Sequence, residues 1–206
     1  MITAHQALER LRTGNQRFVA NLNAATRATQ GQLSSLTATQ EPFAIILGCS
    51  DSRVPAEIVF DQGLGDLFVI RVAGNIVAPS QVGSVEFAAA QFGTRLVVVL
   101  GHTSCGAIDA TIDELGRPSA DQSPNLRSIV DRIRPAIQPL LLTELRNQPE
   151  KLRATAVRSN IQASASHLRH GSQILEQLIQ HDGLLVVGAE YSLETGVVEF
   201  FDGTSL

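Results

Sequence analysis

The chain has 206 residues, of which 44% are hydrophobic and 17% are charged, within the range of ordinary globular proteins. Its formal net charge of −4 comes without a concentrated lysine and arginine patch, so we expect neither nucleic acid nor a membrane surface as a partner. No stretch approaches the roughly 18 consecutive apolar residues that a membrane-spanning helix needs.

The N-terminal segment and the cysteines predict a compartment. Glu9, Arg10 and Arg12 interrupt the apolar positions of the first residues, which is not typical of a signal peptide, so we expect a cytoplasmic location. The two cysteines of the chain are Cys49 and Cys105. In a reducing compartment such a pair is more often metal-binding or catalytic than disulfide-bonded.

The N-terminal part predicts a helical arm. Apolar residues recur at spacings near 3.6 over residues 4–22, which indicates a helix, with Gly14 as a break. These apolar residues are Leu8, Leu11, Phe18, Val19 and Leu22. Residues 23–41 are rich in Ala, Thr, Gln and Ser, and we expect a connector with a short helix there.

Four short apolar runs follow and predict strands buried on both faces, as in a parallel sheet. They are residues 43–48, 67–71, 96–101 and 184–190. Helices are predicted between them over residues 80–93, with Ser80 as the cap and Gly93 as the stop, and over residues 105–116. Two or three more helices are predicted over residues 125–181, broken near Pro149 and Gly171.

This alternation predicts an α/β fold: a Rossmann-like, mainly parallel sheet flanked by helices. Residues 191–201 alternate around a Thr-Gly turn and predict an added C-terminal edge strand. We expect one domain over residues 1–206, with a helical arm at 1–41 and the α/β core at 42–206. In such sheets ligands bind beyond the carboxyl ends of the strands, where the strand order reverses.

Potential metal ligands lie at two of these strand ends. Cys49 follows the first apolar run directly, and His102 and Cys105 follow the third. If the two strands are neighbours, the three side chains converge. Thiolates and a neutral imidazole are preferred ligands of zinc, and three protein ligands leave a fourth position open, as in catalytic zinc sites.

An acid and a base stand beside the first cysteine. Asp51 and Arg53 are two residues apart, which in extended backbone puts both on one face, and arginine can hold a carboxylate through two hydrogen bonds. Such a restraint would keep Asp51 from closing the open metal position. Taken singly, a buried cysteine is usually a small hydrophobe and an Asp-x-Arg pair a weak surface ion pair; the joint pattern favours a site.

Two motifs resemble those of the β-class carbonic anhydrases. They are Cys-Ser-Asp-Ser-Arg at 49–53 and Gly-His-Thr-Ser-Cys-Gly at 101–106. The resemblance covers nearly the whole chain, with further matching segments at 12–18, 67–71, 73–75, 83–87 and 191–196. It implies reversible hydration of carbon dioxide to bicarbonate by zinc-bound hydroxide, one zinc ion per subunit, and a homodimer or homotetramer with its sites at subunit interfaces.

Residue roles follow from the same resemblance. Cys49, His102 and Cys105 match the zinc ligands, and Asp51 and Arg53 match a catalytic dyad. As a separate hypothesis, we expect Asp51 to leave Arg53 and bind the metal as a fourth ligand at low pH. The resemblance implies a substrate pocket of Gln40, contributed across the subunit interface, Phe68, Phe87 and the backbone of Gly106. Ile46 stands where some relatives carry the tryptophan of an inhibitory bicarbonate site, so we do not expect that regulation.

Three other functions stay open from the sequence. The same zinc site would also suit hydrolysis of carbon disulfide or carbonyl sulfide. A zinc-dependent bicarbonate-binding protein without turnover is a second alternative, although such a protein has no need of the Asp51–Arg53 pair. A cysteine-nucleophile enzyme that uses Cys105 at a helix start is the third.

Overall fold

The residues that the structure describes include five strands, which form one sheet in the order β2-β1-β3-β4-β5. The computed structural model describes residues 2–21, 36–37, 39–116 and 123–204. The strands are β1 (Ala44–Gly48), β2 (Leu67–Arg71), β3 (Leu96–His102), β4 (Leu185–Tyr191) and β5 (Val198–Asp202). The first four run parallel, and β5 pairs antiparallel with β4, so the mainly parallel sheet with a C-terminal edge strand is confirmed.

The strands of the sheet centre are apolar because helices cover both of their faces. β1 and β3 are buried at every residue, and they are hydrogen-bonded neighbours, with Ile45 opposite Val97. The chain passes from β1 to β2 on one side and then returns to place β3 on the other side of β1. The strand order therefore reverses between β1 and β3, which is where an α/β sheet binds ligands.

Seven helices surround the sheet in the described part of the chain. They are α1 (Ala4–Val19), α2 (Ala56–Val59), α3 (Pro79–Gln91), α4 (Gly106–Gly116), α5 (Pro124–Ile137), α6 (Pro149–His170) and α7 (Gln173–His181). Short 3₁₀ turns occur at Ala73–Asn75, Leu140–Leu142 and Glu144–Asn147. The breaks predicted near Pro149 and Gly171 separate these elements as expected. Among the described residues, no helix is both long and apolar enough to cross a bilayer.

Alternating strand residues build two cores, one on each face. α1 and α2 cover the face that carries Ile46 and Val98. α3 to α7 cover the opposite face, where Ile45 and Val97 point. The cysteines Cys49 and Cys105 belong to the second core. The helix of the predicted N-terminal arm thus packs on the sheet of its own chain.

Gly14 does not break the first helix, contrary to the prediction. α1 runs from Ala4 to Val19 through a buried Gly14, while Leu22 and most of the predicted 23–41 connector lie outside the described residues. A Cβ atom at Gly14 would lie 1.9 Å from the carbonyl oxygen of Phe60. Glycine is used here because α1 and the end of α2 approach backbone to backbone, not because the helix stops.

The cap predicted for α3 is also wrong. The helix begins at Pro79, one residue before Ser80, and its N-cap is Ala78, which offers no side-chain hydrogen bond. Proline suits the first helical position because its missing N–H is one that the helix leaves unpaired. At the other end Phe92 caps the helix and Gly93 adopts a φ of 65°, so the predicted stop is confirmed.

Candidate metal centre

Cys49, His102 and Cys105 converge at the point where the strand order reverses. Cys49 follows β1, His102 ends the neighbouring β3, and Cys105 immediately precedes α4. One ligand atom from each residue lies within 4.8 Å of the other two, and all three residues are buried. The two sulfur atoms are 4.0 Å apart and both cysteines are free, so the pair is not a disulfide.

One ring nitrogen of His102 fits a metal ligand. Nδ1 lies 2.9 Å from the carbonyl oxygen of Thr103, and only an N–H can bond to a carbonyl, so Nδ1 carries the proton and Nε2 offers a lone pair. Nε2 is buried and has no hydrogen-bond partner among the described residues. A buried nitrogen without a partner is costly, and a cation held with the two sulfurs would satisfy it.

The electrostatics of the two thiols also favour a cation. Hydrogen bonding from Cys105, aided by His102 and the N–H of Gly74, lowers the pKa of Cys49 against the opposing effect of burial. The hydrogen bond to Cys49, burial and the nearby negative charge raise the pKa of Cys105. Cys49 therefore loses its proton easily, and Cys105 does not, because two thiolates this close would repel each other. A divalent cation removes that obstacle.

His102 is affected by the same neighbours. Burial opposes its charged form, but the neighbouring Cys49 sulfur, the Thr103 carbonyl and the negative charge of Asp51 raise its pKa overall. The raised pKa of His102 reflects the negative groups around the imidazole. Such surroundings attract a cation of any kind, whether a proton or a metal ion.

Asp51 lies at the edge of this group and is held by Arg53. The Nε and terminal nitrogen atoms of Arg53 donate to the two carboxylate oxygens at 2.9 Å and 2.7 Å, and the backbone N–H of Arg53 adds a third bond at 3.0 Å. These bonds lower the pKa of Asp51 well below its usual range. Oδ2 of Asp51 is 3.8 Å from Nε2 of His102, so a permanently charged acceptor faces the metal group.

Two further contacts, to which the sequence analysis assigned no role, organise the first cysteine. Arg71, at the end of β2, donates to the carbonyl oxygens of Cys49 at 3.1 Å and Asp51 at 2.6 Å. The N–H of Gly74 lies 3.4 Å from Sγ of Cys49. Arg71 could have been noticed in the sequence because it is a charged residue at the end of an apolar run. Gly74 could not, because it acts through a backbone N–H, which nearly every residue has.

The pocket residues implied by the resemblance do not all lie together in the single chain. Phe68 on β2 and Phe87 on α3 form an aromatic cluster with Phe92, with ring centroids 5.5–6.3 Å apart. Phe87 is 52% exposed in the single chain. Gly106 begins α4 beside Cys105, and a Cβ atom there would meet nothing within 4 Å. Gln40 is exposed and lines a surface hollow with Phe92 rather than joining the Cys-His-Cys group.

Comparisons with known proteins agree on one family. A family profile described as carbonic anhydrase matches residues 44–198. A carbonic anhydrase of Mycolicibacterium smegmatis is 37% identical over 193 residues, which cover 94% of this chain and 91% of the relative. Carbonic anhydrase 2 of Mycobacterium tuberculosis is 35% identical over 190 residues, covering 92% of this chain and 89% of the relative.

A solved structure supports the same fold. The β-carbonic anhydrase CafA of Aspergillus fumigatus superposes with a TM-score of 0.75, covering 98% of this chain and 92% of its own chain. The sequence identity in that superposition is 22%.

Proposed function

Because the chain belongs to the β-carbonic anhydrases, lyases that interconvert carbon dioxide and bicarbonate, we propose that it does so with one zinc ion held by Cys49, His102 and Cys105. The observation that carries the proposal is the buried Nε2 of His102, which has no partner among the described residues and lies beside two sulfurs 4.0 Å apart. Two thiolates and a neutral imidazole form a donor set that selects zinc over magnesium or calcium.

Zinc at these ligands would act as a Lewis acid that lowers the pKa of water. Because two thiolates would cancel the charge of the ion, we expect this effect to be weaker than at a site of three histidines and activity to rise through mildly alkaline pH. The net reaction joins the oxygen of one water molecule to the carbon of carbon dioxide. An electron pair of one C=O bond moves onto its oxygen, and one proton of the water leaves to the solvent buffer. The products are bicarbonate and a proton.

Asp51 orients the attacking oxygen in this proposal. Its Oδ2 lies 3.8 Å from Nε2 of His102, next to the ligand group, and its depressed pKa keeps it an acceptor at any physiological pH. A hydrogen bond donated by the nucleophile to this carboxylate would turn a lone pair of the nucleophile toward the substrate carbon. Arg53 keeps the carboxylate in place and away from the open metal position, because both carboxylate oxygens already accept its hydrogen bonds.

The substrate would lie between the metal group and the start of α4. The surroundings of Gly106 are open, so a carboxylate-like product can approach its backbone N–H at a helix N-terminus, where negative charge is stabilised. Phe68 and Phe87 would supply an apolar wall for carbon dioxide, which has no charge to solvate. Gln40 would add a polar contact from a second subunit.

This arrangement requires a homodimer or homotetramer. Gln40 is exposed on its own chain, and Phe87 leaves about half of a large apolar side chain uncovered, as expected of residues that a second copy would cover. We also propose a cytoplasmic location. Both cysteines are free, and they must stay reduced to bind a metal ion, which a reducing compartment favours.

The test combines metal analysis with stopped-flow carbon dioxide hydration. We expect about one zinc ion per chain in protein purified without chelators, and hydration activity that Cys105→Ser abolishes together with the metal. Zinc-free protein that remains fully active, or zinc-loaded protein with no hydration activity, would refute the proposal. Parallel assays on carbon disulfide and carbonyl sulfide address the alternative substrates, which the carbonic anhydrase relatives do not favour.

A further inference from the structure

The turn that donates to Cys49 has an unusual backbone. It comprises Ala73–Asn75, directly after β2 and Val72. Both Gly74 and Asn75 adopt positive φ angles, 67° and 43°, a region that few residues other than glycine and asparagine occupy readily. In this conformation the N–H of Gly74 lies 3.4 Å from Sγ of Cys49. Since both residues are buried, surrounding contacts must hold this shape.

Two side chains of α6 hold the turn from the opposite side. Nδ2 of Asn160 donates to the carbonyl oxygen of Gly74 at 2.8 Å, and Oγ of Ser164 donates to the carbonyl oxygen of Asn75 at 3.0 Å. Asn160 and Ser164 are four residues apart, so they lie on the same face of the helix. Both are buried, with 2% and 6% of their surface exposed, which makes these hydrogen bonds inaccessible to solvent.

Asn160 and Ser164 are polar side chains with apolar neighbours on the same helix. They occur on the face of α6 that also buries Val157, Ile161 and Ala165 in the apolar core. A buried polar side chain costs free energy unless its hydrogen bonds are made. Here the two donors bond to consecutive carbonyl groups of one turn, and the N–H of Asn75 bonds to the carbonyl of Val72. The hydrogen bonds that these two side chains donate therefore stabilise the turn.

We propose that Asn160 and Ser164 are positioning residues of the metal centre, which fix the turn so that the Gly74 N–H points at Cys49 Sγ. This inference rests on the proposed zinc site. A backbone donor to a thiolate reduces the negative charge at the sulfur and restricts its direction, and such outer contacts strongly affect how firmly a ligand holds its metal. The separation of 86 residues between Asn160 and Gly74 makes α6 a remote support for the ligand that follows β1.

The experiment compares three full-length variants loaded with zinc or with cobalt(II). Asn160→Leu and Ser164→Ala each remove one donor to the turn. Val157→Ala, also at a buried position of α6, removes apolar packing but no side-chain hydrogen bond. Two quantities are measured: the rate at which a chelator removes zinc, and the position of the sulfur-to-cobalt charge-transfer absorption. A thermal unfolding curve of each variant gives its loss of stability.

We expect Asn160→Leu to lose zinc roughly 10- to 100-fold faster than the unmodified protein, Ser164→Ala to lose it about 10-fold faster, and both to shift the cobalt band. Val157→Ala should lower the unfolding temperature but leave the release rate and the band unchanged. Unaltered release and band in the two donor variants would overturn the inference, and so would equal changes in Val157→Ala. If Asn160→Leu does not fold, Ser164→Ala decides alone. Unmodified protein that takes up neither metal refutes the proposed function itself, a result distinct from failure of the variants.

Discussion

The guanidinium of Arg53 holds both carboxylate oxygens of Asp51, at 2.9 Å and 2.7 Å, while one of those oxygens also lies 3.8 Å from the imidazole of His102. The carboxylate therefore faces the metal group without joining it: the three potential ligands are Cys49, His102 and Cys105. Asp51 is mostly buried and Arg53 is more than half exposed, so the arginine reaches inward from solvent to restrain an acid at the site edge.

Replacement of this acid should impair catalysis without removing the metal. Asp51→Asn keeps the size of the side chain but weakens it as an acceptor, and we expect kcat/KM for carbon dioxide hydration to fall roughly 10²- to 10⁴-fold, the range typical of a positioned acid or base. Stopped-flow kinetics and zinc content are measured together. Asp131→Asn, which breaks a comparable ion pair with Arg134 on the surface, is the control and should leave both unchanged. Near-normal activity in zinc-loaded Asp51→Asn would contradict the assigned role.

The same pair should make stability depend on pH in the acid range. The hydrogen bonds from Arg53 depress the pKa of Asp51 in the folded protein below its value of about 3.9 in the unfolded chain. The stabilisation is then complete above about pH 5 and is lost as the pH falls below about 4, where the unfolded chain takes up the proton first. Urea unfolding of chelator-treated protein should therefore lose stability more steeply between about pH 5 and pH 3 in the unmodified chain than in Asp51→Asn. Parallel curves for the two would argue against the depressed pKa.

Much of the fold follows from local sequence patterns. The four apolar runs predicted all four parallel strands, because strands buried on both faces must be apolar throughout. The predicted burial is wrong for β2, which lies at the edge of the sheet and is only partly buried. The positions of Cys49 and His102 directly after two of those runs predicted their convergence, since parallel strands end at the same edge of a sheet. The pairing of β1 with β3 was the one condition this prediction needed, and it is met.

The remaining features depend on contacts between residues distant in the sequence. Gly14 lowers helix propensity and so resembles a break, but its actual role is set by the carbonyl of Phe60, 46 positions later. In the sequence Asn160 and Ser164 are two of many polar residues in a region predicted to be helical, and only the fold brings them to the Gly74–Asn75 turn. Arg71 contacts backbone carbonyls, which every residue has, so no partner residue identifies its role.

Zinc removal should lower the thermal stability of the protein. In the proposed function the ion would bind the folded chain at the buried Cys49-His102-Cys105 group, and at a free concentration 100 times its Kd it would stabilise by about 2.7 kcal/mol. For a chain of this size that corresponds to an unfolding temperature about 5–10 °C higher with zinc than without it. Differential scanning calorimetry with and without a chelator measures the difference. Cys49→Ser, which lacks one ligand, is the control and should show little response to added zinc; an equal shift in this variant would mean that zinc binds elsewhere.

The close approach at Gly14 predicts opposite effects of alanine at two helical glycines. In Gly14→Ala the new methyl group would lie 1.9 Å from the carbonyl oxygen of Phe60, so α1 must move away from α2. That movement would also strain the hydrogen bonds that the next residue of α1, the buried Asn15, donates to the backbone of Val59 and Gly196. Such overpacking costs about 1–3 kcal/mol or more. Gly83 lies within α3, where a methyl group meets nothing within 4 Å, so Gly83→Ala should stabilise by about 0.5–1 kcal/mol through helix propensity. Urea unfolding of both variants tests the contrast, and a neutral Gly14→Ala would mean that α1 packs less closely than the geometry requires.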